Sequence, residues 1–241
     1  MRTLYGLYAS PWTEKARWAL DHHSVTYVFH EHVPLLGEPF LRQKAKRAGA
    51  KATVPLLEDD REVIVGSPEI ARHAERIGRG SPLFPSSADD DVQRFSELSD
   101  RITDVGRAVV IQRLKGNHAA QRELLPRFVP DMVRGIAAPM TSMAARFLAS
   151  KYEVDVDLDT QIAGTLRPAL LEVRRALGGR STLLDAFSWA DIAIASALTA
   201  VRPHHAASMG PATVATWTQD ELAREFDDLL MWRDAVYKNY R

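Results

Sequence analysis

The sequence contains no cysteine among its 241 residues, which excludes a disulfide framework, thiolate metal ligands and a Cys-x-x-Cys redox pair. It also lacks a net charge, because 31 Lys and Arg residues balance 31 Asp and Glu residues. This balance argues against a partner bound through bulk electrostatics, such as nucleic acid or an anionic membrane. No apolar run reaches the roughly 18 residues of a membrane-spanning helix. The first eight residues are more typical of a strand than of a signal peptide, so we expect a cytoplasmic protein.

The sequence changes character near residue 80. Residues 1–78 alternate strand-like and helical patterns in the order βαβ–ββα, with strands expected over 4–8, 25–29, 54–57 and 63–65. Residues 79–88 are rich in Gly, Pro and Ser, which is the composition of a linker. Residues 89–241 are helical almost throughout. We therefore predict an α/β domain over 1–78, a linker over 79–88 and an all-α domain over 89–241.

Long helices are expected in the second half over 89–115, 130–149, 160–178 and 219–238. Phe187-Ser188-Trp189-Ala190-Asp191-Ile192 has the pattern of a capping box with a hydrophobic staple, since Ser188 and Asp191 can each satisfy an amide at a helix start. The residues that follow, 192–198, are apolar nearly all round. This pattern predicts a buried central helix.

Three short segments carry a family resemblance. Ser10-Pro11-Trp12 opens a helix after the first strand, Val54-Pro55 precedes the hairpin, and Gly66-Ser67-Pro68-Glu69-Ile70 opens the next helix. In this order and spacing they resemble the glutathione-binding half of the glutathione S-transferases. The capping box and the segment Phe226–Trp232, with its aromatic-x-x-Leu-x-x-Trp pattern, are similar to the helical half of that family.

The resemblance implies a fold and an activity. The fold is an N-terminal thioredoxin-like domain followed by a C-terminal helical bundle domain, in a homodimer. The activity is transfer of the glutathione thiolate to a small apolar electrophile, as in detoxification, with glutathione as co-substrate. Because cysteine is absent, omega-type and dehydroascorbate-reductase chemistry are disfavoured. The alternative is a non-catalytic member of the fold that serves as a binding or assembly module.

Ser10 is the candidate catalytic residue. A Ser before Pro at a helix start is commonly an N-cap, but a helix N-terminus also favours an anion such as a thiolate. In serine-type glutathione transferases, including tau, theta and many bacterial members, a Ser in a similar context activates glutathione, so the resemblance implies this role for Ser10. Tyr8 and Tyr5 are the alternative hydroxyl groups.

The resemblance also implies the glutathione-binding residues. Pro55 is expected to be cis, with the Val54 backbone pairing with the cysteinyl unit, and Ser67 is expected to bind the γ-glutamyl carboxylate unless it is a plain helix cap. Two positions depart from the family pattern: Gly66 replaces Glu or Gln, and Thr53 replaces Lys. We therefore expect this chain to bind glutathione more weakly than relatives that carry Glu or Gln at the position of Gly66, and we expect Gly66→Glu to strengthen the binding.

The remaining candidate residues could instead be ordinary solvent-exposed side chains. Lys51, in a basic segment with Arg42, Lys44, Lys46 and Arg47, could receive the glycyl carboxylate, and Arg72 could face a dimer partner. His204, His205 and Met209 could border the electrophile cavity, although we expect them to be exposed. No His has a carboxylate at metal-ligand spacing, so no metal site is expected.

Overall fold

The chain is described by a computed structural model over residues 1–60, 62–123, 125, 138–152, 157–205 and 209–241. The first part follows the expected βαβ–ββα order. Its strands are β1 (Thr3–Gly6), β2 (Val28–Glu31), β3 (Leu56–Asp59) and β4 (Glu62–Val65). Its helices are α1 (Pro11–His22), α2 (Glu38–Arg47) and α3 (Ser67–Ile77).

The four strands form one mixed sheet in the order β2-β1-β3-β4. β1 pairs in parallel with β2 and antiparallel with β3, and β3 pairs antiparallel with β4. Neighbouring residues of a strand point to opposite faces. Accordingly, Leu57 packs with α1 and α3 on one face, while Leu56 packs with Leu41 of α2 on the other. This three-layer arrangement is the predicted thioredoxin-like domain.

The strand boundaries differ from the sequence prediction, most clearly in β1 and β2, and β3 begins at Leu56 rather than Val54. β1 ends at Gly6 rather than Tyr8, because the Leu7 amide donates to Thr13 Oγ1 (3.1 Å) and the Ser10 amide donates to the Leu7 carbonyl (3.1 Å), which closes a turn. β2 begins at Val28 rather than Val25, whose amide donates to the Leu20 carbonyl (2.8 Å) at the end of α1. The turn after β1 therefore delivers Ser10 to the start of α1.

The second part is helical. After residues 78–88, which hold a 3₁₀ turn at Ser86–Ala88, come α4 (Asp89–Leu114), α5 (His118–Glu123), α6 (Ala138–Lys151), α7 (Leu158–Gln161), a π-helical stretch (Ile162–Leu166), α8 (Arg167–Leu177), α9 (Trp189–Ala197), α10 (Pro211–Trp217), α11 (Asp220–Glu225) and α12 (Asp227–Tyr240). All nine residues of α9 are buried, as predicted for a central helix. None of the helices in the described ranges is long and apolar enough to cross a bilayer.

Helix boundaries show where the sequence prediction holds and where it does not. The helix expected over 89–115 is present, whereas the one expected over 219–238 is two helices, because the buried Phe226 leaves the helical conformation at φ −115° and ψ 32°. Of the helix expected over 130–149, residues 130–137 lie outside the described residues, as do Pro126 and Pro130. The short helices α5 and α10 were not predicted.

The capping arrangement before α9 is confirmed. The Asp191 carboxylate accepts hydrogen bonds from the Ser188 amide (2.9 Å), the Ser188 hydroxyl (3.1 Å) and the Leu183 amide (2.8 Å). Asp191 is fully buried, and this burial raises its pKa to about 6. The carboxylate thus fixes both the start of α9 and the loop that leads to it.

Candidate functional site

A cavity of about 760 Å³ lies between the sheet and the helical part, within the size range of small-molecule sites. The first part contributes the start of α1, the segment before β3 and the start of α3. The helical part contributes mainly apolar side chains of α4, α6 and α10. The cavity therefore has a polar wall, built from three loop-to-element junctions, and an apolar wall.

Ser10 lies on the polar wall as the N-cap of α1. Its Oγ accepts a long hydrogen bond, 3.4 Å, from the Thr13 amide, and Pro11 at the first helical position has no N–H to satisfy. A hydroxyl that accepts one bond through a lone pair keeps its O–H as a donor. Capping and donation into the cavity are therefore compatible.

The two tyrosines considered as alternatives to Ser10 lie in different places. Tyr8 lines the cavity beside Ser10, with its ring 4.6 Å from that of Phe29. Tyr5 packs behind the sheet with α2, and its hydroxyl donates to Glu58 at 3.5 Å. Only Tyr8 is a lining residue that could rival Ser10.

The segment before β3 reaches the same cavity. The Val54–Pro55 peptide bond is cis, as predicted, and Thr53, Val54 and Pro55 all line the cavity. Lys51 is exposed and is not among the lining residues. Of its basic neighbours, Lys44 and Arg47 pair with Glu58, at 2.6 and 3.0 Å.

Ser67 is not the cap of α3. The cap position is Gly66, and Ser67 is the first helical residue. The Ser67 side chain is 1% exposed, and its Oγ has no hydrogen-bond partner in the described part of the chain. Buried hydroxyl groups are normally bonded, and this one lies at a cavity wall beside a helix N-terminus, where backbone N–H groups favour an anion.

Gly66 has a conformation that a side chain disfavours. Its φ of 106° and ψ of 144° fall close to a region used almost only by glycine. A Cβ on Gly66 would also overlap Oε2 of Glu69. The expectation that Gly66→Glu would supply a missing contact is therefore corrected, because the backbone resists the substitution and a carboxylate already occupies the space.

A cluster of charged and aromatic side chains joins the two parts beside the start of α1. Asp100 Oδ1 accepts from Trp12 Nε1 and from Lys15 Nζ, each at 3.1 Å. Lys15 is 1% exposed, and burial lowers its pKa against the opposing effect of Asp100. The Arg107 guanidinium stacks between the rings of Trp12 (4.7 Å) and Tyr152 (4.0 Å), which places a cation on the apolar wall.

The remaining candidates are placed as follows. Met209 lines the cavity. His204 is buried and stacks on Tyr237 at 4.1 Å, so the expectation that it is exposed is wrong, although His205 is exposed. Arg72 pairs with Asp89 at 3.3 Å and stacks on Phe84. Sequence reasoning missed Glu69, Asp100 and Arg107, of which only Glu69 lies within a recognised motif.

Comparison with known proteins finds a family model that matches the first part of the chain. Residues 4–82 match the family model described as "Glutathione S-transferase, N-terminal domain". No curated protein sequence matches the chain. The predicted resemblance is therefore confirmed over the stretch that contains Ser10, Val54–Pro55 and Ser67.

Solved structures extend the likeness to the whole chain. A glutathione S-transferase from Methylobacillus flagellatus KT with glutathione bound has a TM-score of 0.63 at 17% identity, over 99% of this chain and 95% of that one. A glutathione transferase family member from Pseudomonas fluorescens Pf-5 with bound glutathione has a TM-score of 0.63 at 19% identity, over the same shares. The glutathione transferase GSTFuA3 from Phanerochaete chrysosporium has a TM-score of 0.61 at 14% identity, over 99% and 94%. The chain thus has the glutathione S-transferase fold.

Proposed function

We propose that this protein binds glutathione on the polar wall of the cavity and conjugates its thiolate to a small apolar electrophile on the apolar wall. The observation that carries the proposal is the meeting of three groups at one cavity: the Ser10 hydroxyl at the start of α1, the Val54 backbone beside a cis-proline, and the Ser67 hydroxyl at the start of α3, which has no partner among the described residues. Solved relatives with this fold have glutathione bound, which supports the same ligand here.

Each group has a part in binding. The Val54 backbone, just before the start of β3, can pair with the peptide backbone of the cysteinyl unit. Ser67 and the first amides of α3 can donate to the γ-glutamyl carboxylate, since a helix N-terminus attracts anions. Thr53 and Lys51 are the candidates for binding the glycyl end of glutathione. Lys51 would reach it from outside the cavity lining.

The chemical step requires a thiolate. A free thiol with a pKa near 8.5 is only a few per cent ionised at pH 7, and lowering that pKa by about two units takes roughly 2.7 kcal/mol of differential stabilisation. The Ser10 hydroxyl and the N-terminal end of α1 would supply it by donating to the sulfur anion. The thiolate then attacks the electrophilic carbon, and the thioether forms as the leaving group departs or as a conjugated double bond takes up the electron pair.

The apolar wall suits the second substrate. Val110, Ile111 and Leu114 line it together with Tyr152 and Trp217, and transfer of an apolar molecule onto such a surface is favoured by the hydrophobic effect. Holding the electrophile beside the sulfur also removes much of the entropic cost of a bimolecular reaction. The proposal includes a cytoplasmic location and a homodimer, and sedimentation of the purified chain would test the dimer.

The experiment that tests glutathione binding is calorimetry on the wild type and Ser67→Ala. We predict that Ser67→Ala weakens glutathione binding about tenfold or more, because a hydrogen bond to a charged group contributes roughly 1.5–3 kcal/mol. Stability of the ligand-free protein should not fall, because no bond of the Ser67 hydroxyl is lost. A loss of about 1 kcal/mol in stability with unchanged affinity would instead indicate a cap and contradict the proposal.

A second candidate is a non-catalytic binding module. The observation that favours it is the bond from the Thr13 amide to Ser10 Oγ, because capping accounts for a serine at this position without catalysis. This candidate predicts glutathione binding without any lowering of the thiol pKa. Turnover with a generic aryl halide separates it from the transferase.

A further inference from the structure

We propose that Glu69 receives the α-ammonium group of glutathione, so that Ser67 and Glu69 together form a receptor for the zwitterionic γ-glutamyl end. This inference rests on the proposed function. It assigns recognition of the ligand's ammonium group to Glu69, three positions after Gly66. The observations that carry it are the position of the Glu69 carboxylate on the cavity wall near Ser67 and its lack of a partner in the part of the chain that the structure describes.

The position of the carboxylate follows from the backbone of Gly66. A side chain beginning at Gly66 would meet Oε2 and then Cδ of Glu69, so the carboxylate occupies the space that a larger residue at position 66 would fill. The Gly66 amide donates to the Pro55 carbonyl at 3.1 Å, which ties this turn to the cis-proline segment. The Glu69 carboxylate therefore lies on the cavity wall next to both Ser67 and Pro55.

The geometry does not give Glu69 a helix-capping role. Glu69 is the third residue of α3, and a glutamate there can close a capping box by accepting from the amide of the cap residue. Here the cap residue is Gly66, and its amide is already used by Pro55. Within the described residues Glu69 has neither a hydrogen-bond donor nor a cation as partner, and it is exposed to the cavity.

The chemistry of the pair fits an α-amino acid head group. The Ser67 hydroxyl and the amides at the start of α3 donate, which suits a carboxylate. Glu69 accepts and is negative, which suits an ammonium group. Ser67 and Glu69 both line the cavity at the first turn of α3, so one head group bound there can meet both.

The test compares two ligands on three proteins by titration calorimetry. The ligands are glutathione and its des-amino analogue, in which a glutaryl group replaces γ-glutamyl. The proteins are the wild type, Glu69→Gln and Glu221→Gln. Glu221 is exposed on α11, so its variant changes net charge equally without touching the cavity. Thermal melting establishes that each variant is folded.

We expect Glu69→Gln to bind glutathione about ten- to hundredfold more weakly and the des-amino analogue equally well. The wild type should prefer glutathione over the analogue by a similar factor, and this comparison needs no variant. Equal losses for both ligands, no loss for either, or no preference by the wild type would overturn the role of Glu69. Failure of the wild type to bind glutathione at all would instead overturn the proposed function, and this assignment with it.

Discussion

Two adjacent residues at the start of α3 have different physical requirements. Gly66 provides a backbone conformation that other residues adopt only with strain, whereas Ser67 places a hydroxyl in a buried position without a described partner. A chain that keeps an unsatisfied hydroxyl loses stability relative to one with alanine there. Such a loss at a cavity wall is typical of a residue whose partner is a ligand.

The backbone requirement gives a prediction for Gly66→Ala. We expect the free energy of unfolding to fall by about 1–3 kcal/mol, because the new side chain is strained at φ 106°. Gly116→Ala is the matched control, since a Cβ there meets no neighbour within 4 Å. The control should be neutral or stabilising by up to about 1 kcal/mol. Equal effects in urea denaturation would contradict the account of Gly66.

Sequence patterns predicted elements well where the signal is local. The helix over 89–115 and the capping box at Ser188 follow from periodicity and from residue types at fixed spacing, whereas Ser10, Val54–Pro55 and Ser67 were indicated by the family resemblance of their segments. The pattern failed for α5 and α10, which have six and seven residues, because two turns are too short to show amphipathic periodicity. The break at Phe226 has neither Gly nor Pro to mark it.

The tertiary contacts of the site could not be predicted in this way. Trp12 and Asp100 are 88 positions apart, and nothing local to either residue indicates that their side chains meet. The position of the Glu69 carboxylate depends on the backbone conformation of Gly66. Local motifs therefore identified the polar wall, whereas the apolar wall required the structure.

Helix α9 depends on a buried carboxylate, which predicts a pH effect. The Asp191 pKa is about 6 in the folded chain, against an ordinary value of 3.8. Between these values the folded state holds a proton that the unfolded chain has released, so the contribution of Asp191 to the free energy of unfolding falls as pH rises from about 4 to 6.

Asp191→Asn removes this titration and serves as the reference. We expect the difference in unfolding free energy between the wild type and Asp191→Asn to change by about 1–3 kcal/mol over that pH range, in the direction that disfavours the wild type at higher pH. Denaturation of both proteins at several pH values measures it. A difference that is constant with pH would show that Asp191 does not titrate in this range.

At the scale of the whole molecule, contacts across α1 hold the two parts together. Asp100 of α4 accepts from Trp12 and Lys15. Arg241 pairs with Glu14 in the first turn of α1 at 2.8 Å and with Asp21 near its end at 2.6 Å. The helix whose start carries Ser10 is thus fixed by the helical part, so the cavity depends on both parts of the chain.

Asp100→Ala tests this coupling. We expect a loss of about 1–3 kcal/mol in stability, because the buried Lys15 ammonium loses its acceptor and Trp12 loses its hydrogen bond. The exposed Glu97 on the same helix provides the control, and Glu97→Ala should change stability by no more than about 0.5 kcal/mol. Similar losses in both variants would mean that the Asp100 contacts do not couple the parts.

The most direct test of the central claim is the titration of glutathione bound to the wild type and to Ser10→Ala, followed by thiolate absorbance against pH. We predict that the wild type lowers the thiol pKa by about two units, and that Ser10→Ala raises it again and slows turnover by at least about tenfold, or 1.4 kcal/mol. Thermal melting of the same variant measures the separate loss of the cap, about 1 kcal/mol. A less stable Ser10→Ala protein with an unmoved thiol pKa would assign Ser10 to capping alone and contradict its role as the activating residue.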